Sequence, residues 1–563
     1  MSGDERGWRR LLFVATAATT IVYLYFAFFR PLTFAYDPLA IQDDVRDFLL
    51  WGARIANPAA LPGDYMADYW QSVSPPLFRW IFYAGANVGI RPYVLAKFLP
   101  VPLLFLCAAT GWRLAMLMTG NRPRAAFIAA GFLLGAIIHE DSIFSGTPRS
   151  FSPALLLVLF YAIVSRRDLL AGFAILLLAA FYPASAIVGF TMFAFSKVRS
   201  VWPPKIDLSA RSILFVGGTA ILMAAAVTPF LIHESPWGPT LTLAQAHTMP
   251  NMMTLSGRST IVGPSGGIGW LCSSRMGYIP AIVSCGGDVP AAFLLDLPLA
   301  LPMIVLAIRA ARKSPPGPDR LYLLAFAATI LWYAIAIAVA FELHLPSRYS
   351  QRVLEVLEGL ALGQVFGMWL DSKVSQGAKR LGAAGIGIFA LLAILFVTPI
   401  PDVRHPADPQ LIAHIAALPP DTRIGGVSDD LDFIPALTGR SVLAAPEQAV
   451  PYQLGYYNKV TPRLRSSLVM VSTADREELR RTLSEHPADY ILAERKMLES
   501  RAIDGRFPTV LPAESQQASL RLQSAQPAIV AAGPRCIDYS SATFLLVNAR
   551  CVLDAEHPEK PAP

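Results

Sequence analysis

Apolar runs close to the length of a membrane-spanning helix recur along most of this chain. A helix needs about 20 mainly apolar residues to cross a bilayer, and the run LLFVATAATTIVYLYFAFF at 11–29 meets that need. Only 15% of the 563 residues are charged, whereas a soluble domain has about 25%. The sequence therefore predicts a mostly α, polytopic helical membrane protein.

Basic residues set the orientation of these runs. Arg and Lys lie in short clusters between them, beginning with Arg6, Arg9 and Arg10, and cytoplasmic loops are the ones enriched in such residues. We therefore expect a cytoplasmic N-terminus, about 11 spans and a C-terminus on the outer side. Pro183 should split the long run at 169–196 into two helices. The expected spans are 11–29, 93–118, 125–138, 153–164, the two halves of 169–196, 213–232, 291–307, 321–340, 349–370 and 381–397.

The chain divides into a membrane domain and a soluble domain. The membrane domain is expected over 1–400, with outer loops at 30–92 and 234–290. Amphipathic patterns in the first loop predict helices that lie on the membrane interface. From 401 onward the short apolar runs RIGGVS, DYILAE, AIVAAG and TFLLVN alternate with helical stretches. That alternation predicts an α/β domain over 401–563, on the periplasmic side of a bacterial inner membrane and with a disordered tail.

Charge and cysteine content exclude one class of partner and suggest two crosslinks. The net charge of +7 comes from the clusters between spans, not from a basic face with interleaved aromatic residues, so no nucleic-acid partner is expected. Cys272 with Cys285, and Cys536 with Cys551, form two local pairs in segments expected outside. Both pairs are therefore disulfide candidates.

Asp43 and Asp44 stand in the first outer loop, just ahead of the amphipathic pattern at 45–55. Carboxylates at such a position stabilise a helix N-terminus, and this structural role alone would account for them. Two functional roles are also open. One of the pair could take a proton from an acceptor hydroxyl, or both could hold a divalent metal ion through their oxygens.

Three cations lie at the same expected depth as this acidic pair. Arg149, Arg348 and Lys97 each fall at the outer end of an expected span. A guanidinium fork matches phosphate oxygens, so these residues are candidates to bind a lipid phosphate. The alternative is that they anchor the protein among the headgroups. Arg352 and Glu355 follow Arg348 on the same helix and should form an ion pair there.

Two further groups are weaker candidates. Glu140 and Asp141, after His139, form a second acidic site that could hold a metal, although adjacent residues of a helix point apart and a solvated helix end is the simpler reading. Tyr65, Tyr69 and Trp70 could stack on a sugar ring, or could belong to an aromatic belt at the membrane interface.

Taken in order, these motifs resemble those of the GT-C superfamily of integral-membrane glycosyltransferases. The acidic loop is followed by Pro75-Pro76-Leu77 and by Lys97 through Pro100. A second loop then carries Glu140-Asp141 with Arg149 and Phe151. The broken span at Tyr182-Pro183 and the late corner of Pro346, Arg348 and Tyr349 are similar as well. The resemblance covers about 11–400 and extends to a group of uncharacterised bacterial membrane proteins with QDDxRxF and GTPRSF patterns.

The resemblance implies a glycosyltransferase that acts on the outer face. A polyprenyl-phosphate-linked sugar would be the donor, with its phosphate near Arg149, Arg348 and Lys97, and an envelope component would be the acceptor. Asp44, or its neighbour Asp43, would activate the acceptor or hold a metal ion. One alternative is a non-catalytic relative that serves envelope polysaccharide assembly. A transporter is the other alternative, and it would need mid-membrane polar residues and internal repeats.

Overall fold

The computed structural model describes most of the chain. The described residues are 25, 33–139, 141–200, 205–232, 235–253, 259–263, 266–280, 290–313, 317–372, 377 and 403–555. The expected spans at 11–29 and 381–397 lie outside them, as does the tail after 555.

Helices dominate the part of the chain before 373. Short helices come first, in the loop that carries the acidic pair, and apolar helices follow. In chain order the helices are α1 Asp43–Phe48, α2 Gly52–Ala56, α3 Tyr65–Val73, α4 Pro76–Asn87, α5 Pro92–Phe98, α6 Pro100–Met118, α7 Pro123–His139, α8 Phe151–Val164, α9 Asp168–Phe181, α10 Pro183–Ser196, α11 Ala210–Ile232, α12 Leu243–Ala246, α13 Pro250–Met253, α14 Pro290–Arg312, α15 Arg320–Ala338 and α16 Gln351–Leu370.

Four of the described helices are long and apolar enough to cross a bilayer. They are Pro92–Met118, Ala210–Thr228, Arg320–Ala338 and Gln351–Leu370, and α7 to α10 are apolar but shorter. The expected count of 11 spans is therefore not confirmed. The break at 182–183 is confirmed, because α9 ends at Phe181 and Pro183 is the first residue of α10. Proline suits that first position, where its missing N–H has no helical partner.

A seam of glycines joins α16 to α7. Gly359, Gly363 and Gly367 follow each other at one-turn intervals, and a Cβ on any of them would lie 2.6–2.7 Å from an atom of α7. The atoms met belong to Ala136, Ala129 and Ala125 respectively, so the two helices run antiparallel. Small residues at this spacing let two helix backbones approach closely inside a membrane.

A five-stranded mixed sheet forms the centre of the segment after 402. In chain order the described strands are β1 Ile41–Gln42, β2 Val198–Ser200, β3 Lys205–Ile206, β4 Val403–Arg404, β5 Arg423–Val427, β6 Ser441–Val442, β7 Tyr490–Glu494, β8 Ile537–Ser540 and β9 Phe544–Asn548. The strand order in the five-stranded sheet is β6-β5-β7-β9-β8, where β5 is parallel to β6 and β7, and β9 is antiparallel to β7 and β8. Two further antiparallel pairs, β1 with β4 and β2 with β3, lie outside this sheet.

Helices pack around this sheet, so an α/β arrangement is found where it was expected. Three of the four predicted strand runs are strands, but AIVAAG instead contains the helix Ala528–Ala531. Pro527 precedes that helix, and Gly533 follows it in the left-handed region at φ +82°, which favours a helix end. The helices are α17 Pro409–Ala417, α18 Ile434–Thr438, α19 Leu454–Ser472, α20 Arg476–Glu485, α21 Arg495–Ser500, α22 Phe507–Val510, α23 Pro512–Ser524, α24 Ala528–Ala531 and α25 Ala549–Asp554.

Cysteines crosslink the end of the chain. Cys536 and Cys551 form a disulfide, as their spacing suggested, and it ties the start of β8 to α25. Cys272 is buried and disulfide-bonded, whereas Cys285 lies outside the described residues. Cys107 is a buried free thiol within α6.

The α/β part rests on one end of the helical bundle, against two of the expected outer loops. Trp70 of α3 donates to the Gln448 side chain at 2.6 Å, and the Leu61 N–H donates to the Gly439 carbonyl at 3.1 Å. From the second loop, Asn251 donates to the Ala449 carbonyl at 2.7 Å. The two loops therefore lie between the bundle and the α/β part.

Candidate functional site

The acidic pair begins α1, as its position in the sequence suggested. Gln42 is the N-cap, and its side chain accepts a hydrogen bond from the Val45 N–H at 3.2 Å. Asp43 and Asp44 occupy the first turn, where the helix dipole favours carboxylates. One amphipathic helix over 45–55 was expected on the membrane interface. Instead two short helices form, and Arg46 and Asp47 are buried because the α/β part covers them.

A turn of small and hydroxyl residues brings Arg149 to α1. The Ser145 hydroxyl lies 2.8 Å from the Thr147 hydroxyl and 3.0 Å from the Ser150 hydroxyl, so the GTPRS segment is tied together internally. Gly146 has φ +62°, and a Cβ there would lie 3.0 Å from both the Ala96 carbonyl and a methyl of Val45. Only glycine fits this conformation and this close approach.

Asp44 and Arg149 form an ion pair. The Asp44 side chain is 16% exposed and the Arg149 side chain 24% exposed, so the contact is partly sheltered from water. The sequence placed these two residues in separate outer loops at the same depth, and the structure brings them into contact. Asp43 is held elsewhere, by an ion pair with Arg46 and by Arg404, whose Nε lies 3.6 Å from Asp43 Oδ1.

The first turns of α16 add two more charges beside this pair. Arg352 is 8% exposed, hydrogen-bonds to the Ser142 hydroxyl and interacts electrostatically with Asp44. Glu355 lies 3.9 Å from Arg352, which confirms the expected ion pair within the helix. Glu355 also interacts electrostatically with Arg149, so its charge acts on a residue outside α16 as well.

Arg348 completes the group from the short 3-10 helix Pro346–Tyr349, just before α16. It is half-buried and interacts electrostatically with Glu355. The group is called here the rim cluster: Asp44, Arg149, Arg348, Arg352 and Glu355. It lies at the end of the bundle that faces the α/β part, since α1 contacts both. The far end of α16 lies about 30 Å away, where Arg122 approaches Asp371 at 3.7 Å.

The other candidate residues either lie apart from the rim cluster or fall outside the described residues. The Lys97 Nζ donates to the Asp37 carbonyl at 2.6 Å and lines a small pocket with Phe34 and Val403. None of the described contacts joins Lys97 to the rim cluster. Glu140 lies outside the described residues, and Asp141 begins the 3-10 helix Asp141–Phe144. The second acidic site therefore stays a prediction.

The three aromatic residues pack against the α/β part. Tyr69 stacks on Tyr456 with ring centroids 3.7 Å apart, and Tyr65 donates to the Leu443 carbonyl at 3.2 Å. Trp70, like Tyr69, is 4% exposed. Stacking on a sugar would require these rings to leave their protein neighbours. The described contacts therefore place all three rings between the first outer loop and the α/β part, and their stacking on a sugar stays a prediction.

A metal site is not built up by the described side chains. They contain no group of three or more His, Cys, Asp or Glu residues placed to hold a metal ion. Asp43 and Asp44 each face a guanidinium, whereas a hard divalent cation takes six or more oxygen ligands. A cation held by this pair stays a prediction, and no chemical step is routed through it.

The rim cluster can bind an anion and can supply a carboxylate. Three guanidinium groups face two carboxylates, and Arg forks match phosphate oxygens with paired hydrogen bonds. From the sequence, Arg149, Arg348 and Asp44 were predicted as site residues, whereas Arg352 and Glu355 were predicted only to pair with each other. One sequence signal could have placed Arg352 and Glu355 in the site. They follow Arg348 at intervals of about one helical turn, and charged residues within the end of a membrane span usually have a functional role.

No family model matches this chain, and no curated protein matches it. Solved structures similar to this chain include an oligosaccharyltransferase of Archaeoglobus fulgidus tethered with an acceptor peptide, at 14% identity and TM-score 0.49, over 90% of this chain and 72% of that one. AglB from the same organism, in complex with an inhibitory peptide and a dolichol-phosphate, is similar at 14% identity and TM-score 0.46, over 88% and 70%.

ArnT from Cupriavidus metallidurans, bound to undecaprenyl phosphate, is similar at 15% identity and TM-score 0.42, over 89% of this chain and 97% of that one. All three TM-scores are below 0.5.

Proposed function

We propose that this protein is a membrane glycosyltransferase. It would take a sugar from a polyprenyl-phosphate-linked donor and attach it to an envelope acceptor on the outer face. The observation that carries the proposal is the ion pair between Asp44 and Arg149 within the rim cluster. It joins the carboxylate and the cation that the resemblance assigns to acceptor activation and donor binding, and they come from two separate loops.

The rim cluster would first hold the donor phosphate. Arg149 and Arg348 would bind its oxygens, while the lipid tail stays among the apolar helices. Because a phosphate and a carboxylate compete for the same guanidinium, donor binding would release Asp44 from Arg149. Lys97 of α5 would take part only if its Nζ left the Asp37 carbonyl, to which it donates at 2.6 Å.

The released Asp44 carboxylate would then act as the general base. It would accept the proton of the acceptor hydroxyl, a contribution of roughly 10²–10⁴-fold to the rate. The acceptor oxygen would bond to the anomeric carbon as the bond from that carbon to the phosphate oxygen breaks. The departing polyprenyl phosphate takes the electron pair, and the arginines stabilise its charge.

The chemistry implies a location and a topology. The protein would lie in a bacterial inner membrane with about 11 spans, a cytoplasmic N-terminus and a periplasmic α/β domain from about 401. The rim cluster would then open at the periplasmic side of the bilayer, where a lipid-linked sugar and an envelope acceptor can meet.

Two substitutions separate donor binding from transfer. Undecaprenyl phosphate is the probe for donor binding. For transfer, the donors are lipid-linked sugars extracted from the host envelope, and mass spectrometry measures the polyprenyl phosphate that the protein releases from them. Asp44→Asn should abolish release yet bind undecaprenyl phosphate more tightly, because Arg149 loses its competitor. Arg149→Met should weaken that binding. Asp68→Asn, in the same loop and ion-paired at 2.5 Å to Arg54, is the matched control and should change neither.

The pattern of results also decides between the two leading functions. Lipid-phosphate binding without release by the wild-type protein would favour a non-catalytic assembly component. Full release by Asp44→Asn would remove that carboxylate from the mechanism.

A further inference from the structure

The polar side chains of α1 divide between the bundle and the α/β part. The helix has four of them, Asp43, Asp44, Arg46 and Asp47. Asp44 pairs with Arg149 of the bundle. The other three each contact a residue beyond 402, through an ion pair, a ring or an amide. The helix that carries the candidate base is therefore held chiefly from the other part of the protein.

Gln448 makes the most fully buried of these contacts. Its Nε2 donates to Asp47 Oδ1, and the two side chains lie 401 positions apart in the chain. Its Oε1 accepts from Trp70 Nε1 at 2.6 Å and from the Tyr456 hydroxyl at 3.4 Å. Asp47 is fully buried and Gln448 is 2% exposed. Indole N–H is only a donor, so the oxygen of Gln448 must face Trp70 and the NH₂ group must face Asp47.

Arg46 makes a second contact with the α/β part. It is 3% exposed, and its guanidinium carbon lies 4.6 Å from the centre of the Phe433 ring. It is ion-paired to Asp43 and interacts electrostatically with Asp432. A buried guanidinium needs such neighbours, because an uncompensated buried charge is strongly destabilising.

A backbone contact fixes the start of the helix. The residues Ile41 and Gln42 pair with Arg404 and Val403 respectively in the two-stranded sheet of β1 and β4. Gln42 is also the N-cap of α1. The sheet therefore sets where the helix begins, and the N–H groups of its first turn keep a fixed direction.

We propose that the α/β part positions the Asp44 carboxylate through α1, and that Gln448 is its principal positioning residue. The inference rests on the proposed function, since it takes Asp44 as the base. The described contacts of the Gln448 side chain are with Asp47, Trp70 and Tyr456, so it would act on Asp44 through Asp47, one turn further along the same helix. A misplacement of a reacting group by about 1 Å can reduce a rate by roughly 10²-fold, so a loosened α1 should lower turnover.

A reciprocal exchange of the two side chains tests this proposal. Gln448→Glu places two carboxylates face to face in a buried site, and it should lower kcat by roughly 10²-fold. The double variant Asp47→Asn, Gln448→Glu restores a donor opposite an acceptor and keeps Trp70 and Tyr456 paired, so it should recover most of the rate. KM for the extracted lipid-linked sugar should change little in either protein, because Arg149 and Arg348 are untouched.

Amide hydrogen exchange gives a readout that does not depend on activity. Segment 43–49 should exchange faster in Gln448→Glu and return to the wild-type rate in the double variant. Arg465→Gln is the control, since it breaks an exposed ion pair with Glu514 at 2.8 Å on the surface of the α/β part. It should change neither exchange nor turnover. If Gln448→Glu does not fold, Gln448→Met removes the same hydrogen bonds without adding a charge, and faster exchange with lowered kcat is expected again.

Three outcomes would overturn the proposal. They are unchanged exchange of 43–49 in the Gln448 variants, unchanged kcat despite faster exchange, and failure of the double variant to recover. A wild-type protein without transfer activity would contradict the proposed function instead. The exchange rates of the single and double variants would then decide whether Gln448 holds α1.

Discussion

The glycine seam between α7 and α16 gives a prediction that can be worked from distances. A Cβ on Gly363 would lie 2.7 Å from the Ala129 Cα and 2.8 Å from the Phe132 Cβ. Carbon atoms in favourable contact are about 3.5–4.0 Å apart. The atoms that a Cβ would meet are a backbone carbon and a side-chain root, so no change of rotamer can move them away. Gly363→Ala therefore requires the two helices to separate by about 1 Å.

Overpacking of this kind costs about 1–3 kcal/mol, and we expect Gly363→Ala to lower the unfolding midpoint of the purified protein. The rim cluster should feel the same displacement, because α16 carries Arg352 and Glu355 while α7 leads into the segment of Ser142 and Arg149. Binding of undecaprenyl phosphate should therefore weaken together with stability.

Thermal unfolding in detergent, followed by intrinsic tryptophan fluorescence, measures the first effect. Gly217→Ala on α11 is the matched control, since a Cβ there would meet no atom within 4 Å. The control should be neutral or stabilising, because alanine is the better helix former. A Gly363→Ala protein as stable as the control would refute the close approach of the two helices.

Three further predictions concern pH, redox state and charge. Burial raises the pKa of the Asp432 carboxyl to about 8 although Arg46 opposes the shift, so stability should fall as pH rises from about 4 to about 8. Asp432→Asn should make the fall between pH 5 and pH 8 smaller in thermal unfolding, while the Asp430 carboxyl, whose pKa burial raises to about 6, still contributes its part. Cys551→Ser opens a disulfide between positions 15 apart, which should destabilise the α/β part by about 3 kcal/mol; in chemical unfolding, its difference from the wild-type protein should disappear when both proteins are reduced. Glu355→Gln should tighten undecaprenyl phosphate binding roughly fivefold, because it removes a negative charge that repels the phosphate, and such a neighbouring charge contributes about 1 kcal/mol near the surface. A titration that shows equal affinity would contradict binding of the phosphate beside Glu355 in the rim cluster.

Local signals in the sequence were enough to predict several parts of the fold. Pro183 cannot continue a helix, and α9 ends two residues before it. Asp43 and Asp44 suit the first turn of a helix, and α1 begins with them. The orientation of the spans predicted that Asp44 and Arg149 lie at the same depth, but their contact became visible only in the structure.

Contacts between distant segments could not be predicted in this way. Arg46 and Asp47 have the pattern of a solvated helix face, and only the presence of Gln448 and Phe433 explains their burial. The run AIVAAG has strand-forming composition, yet a local proline and glycine decide its structure. The sequence around Arg352 and Glu355 did not indicate that their helix, α16, would face Arg149.

The pairing of β1 with β4 has a consequence for how the protein matures. In the proposed topology, residues 41–42 would reach the outer side early in synthesis, whereas their partners at 403–404 are made only after every described helix of the bundle. The base would thus stay unfixed throughout insertion into the bilayer. The newly made chain would become competent only when its last segment has been exported and has docked.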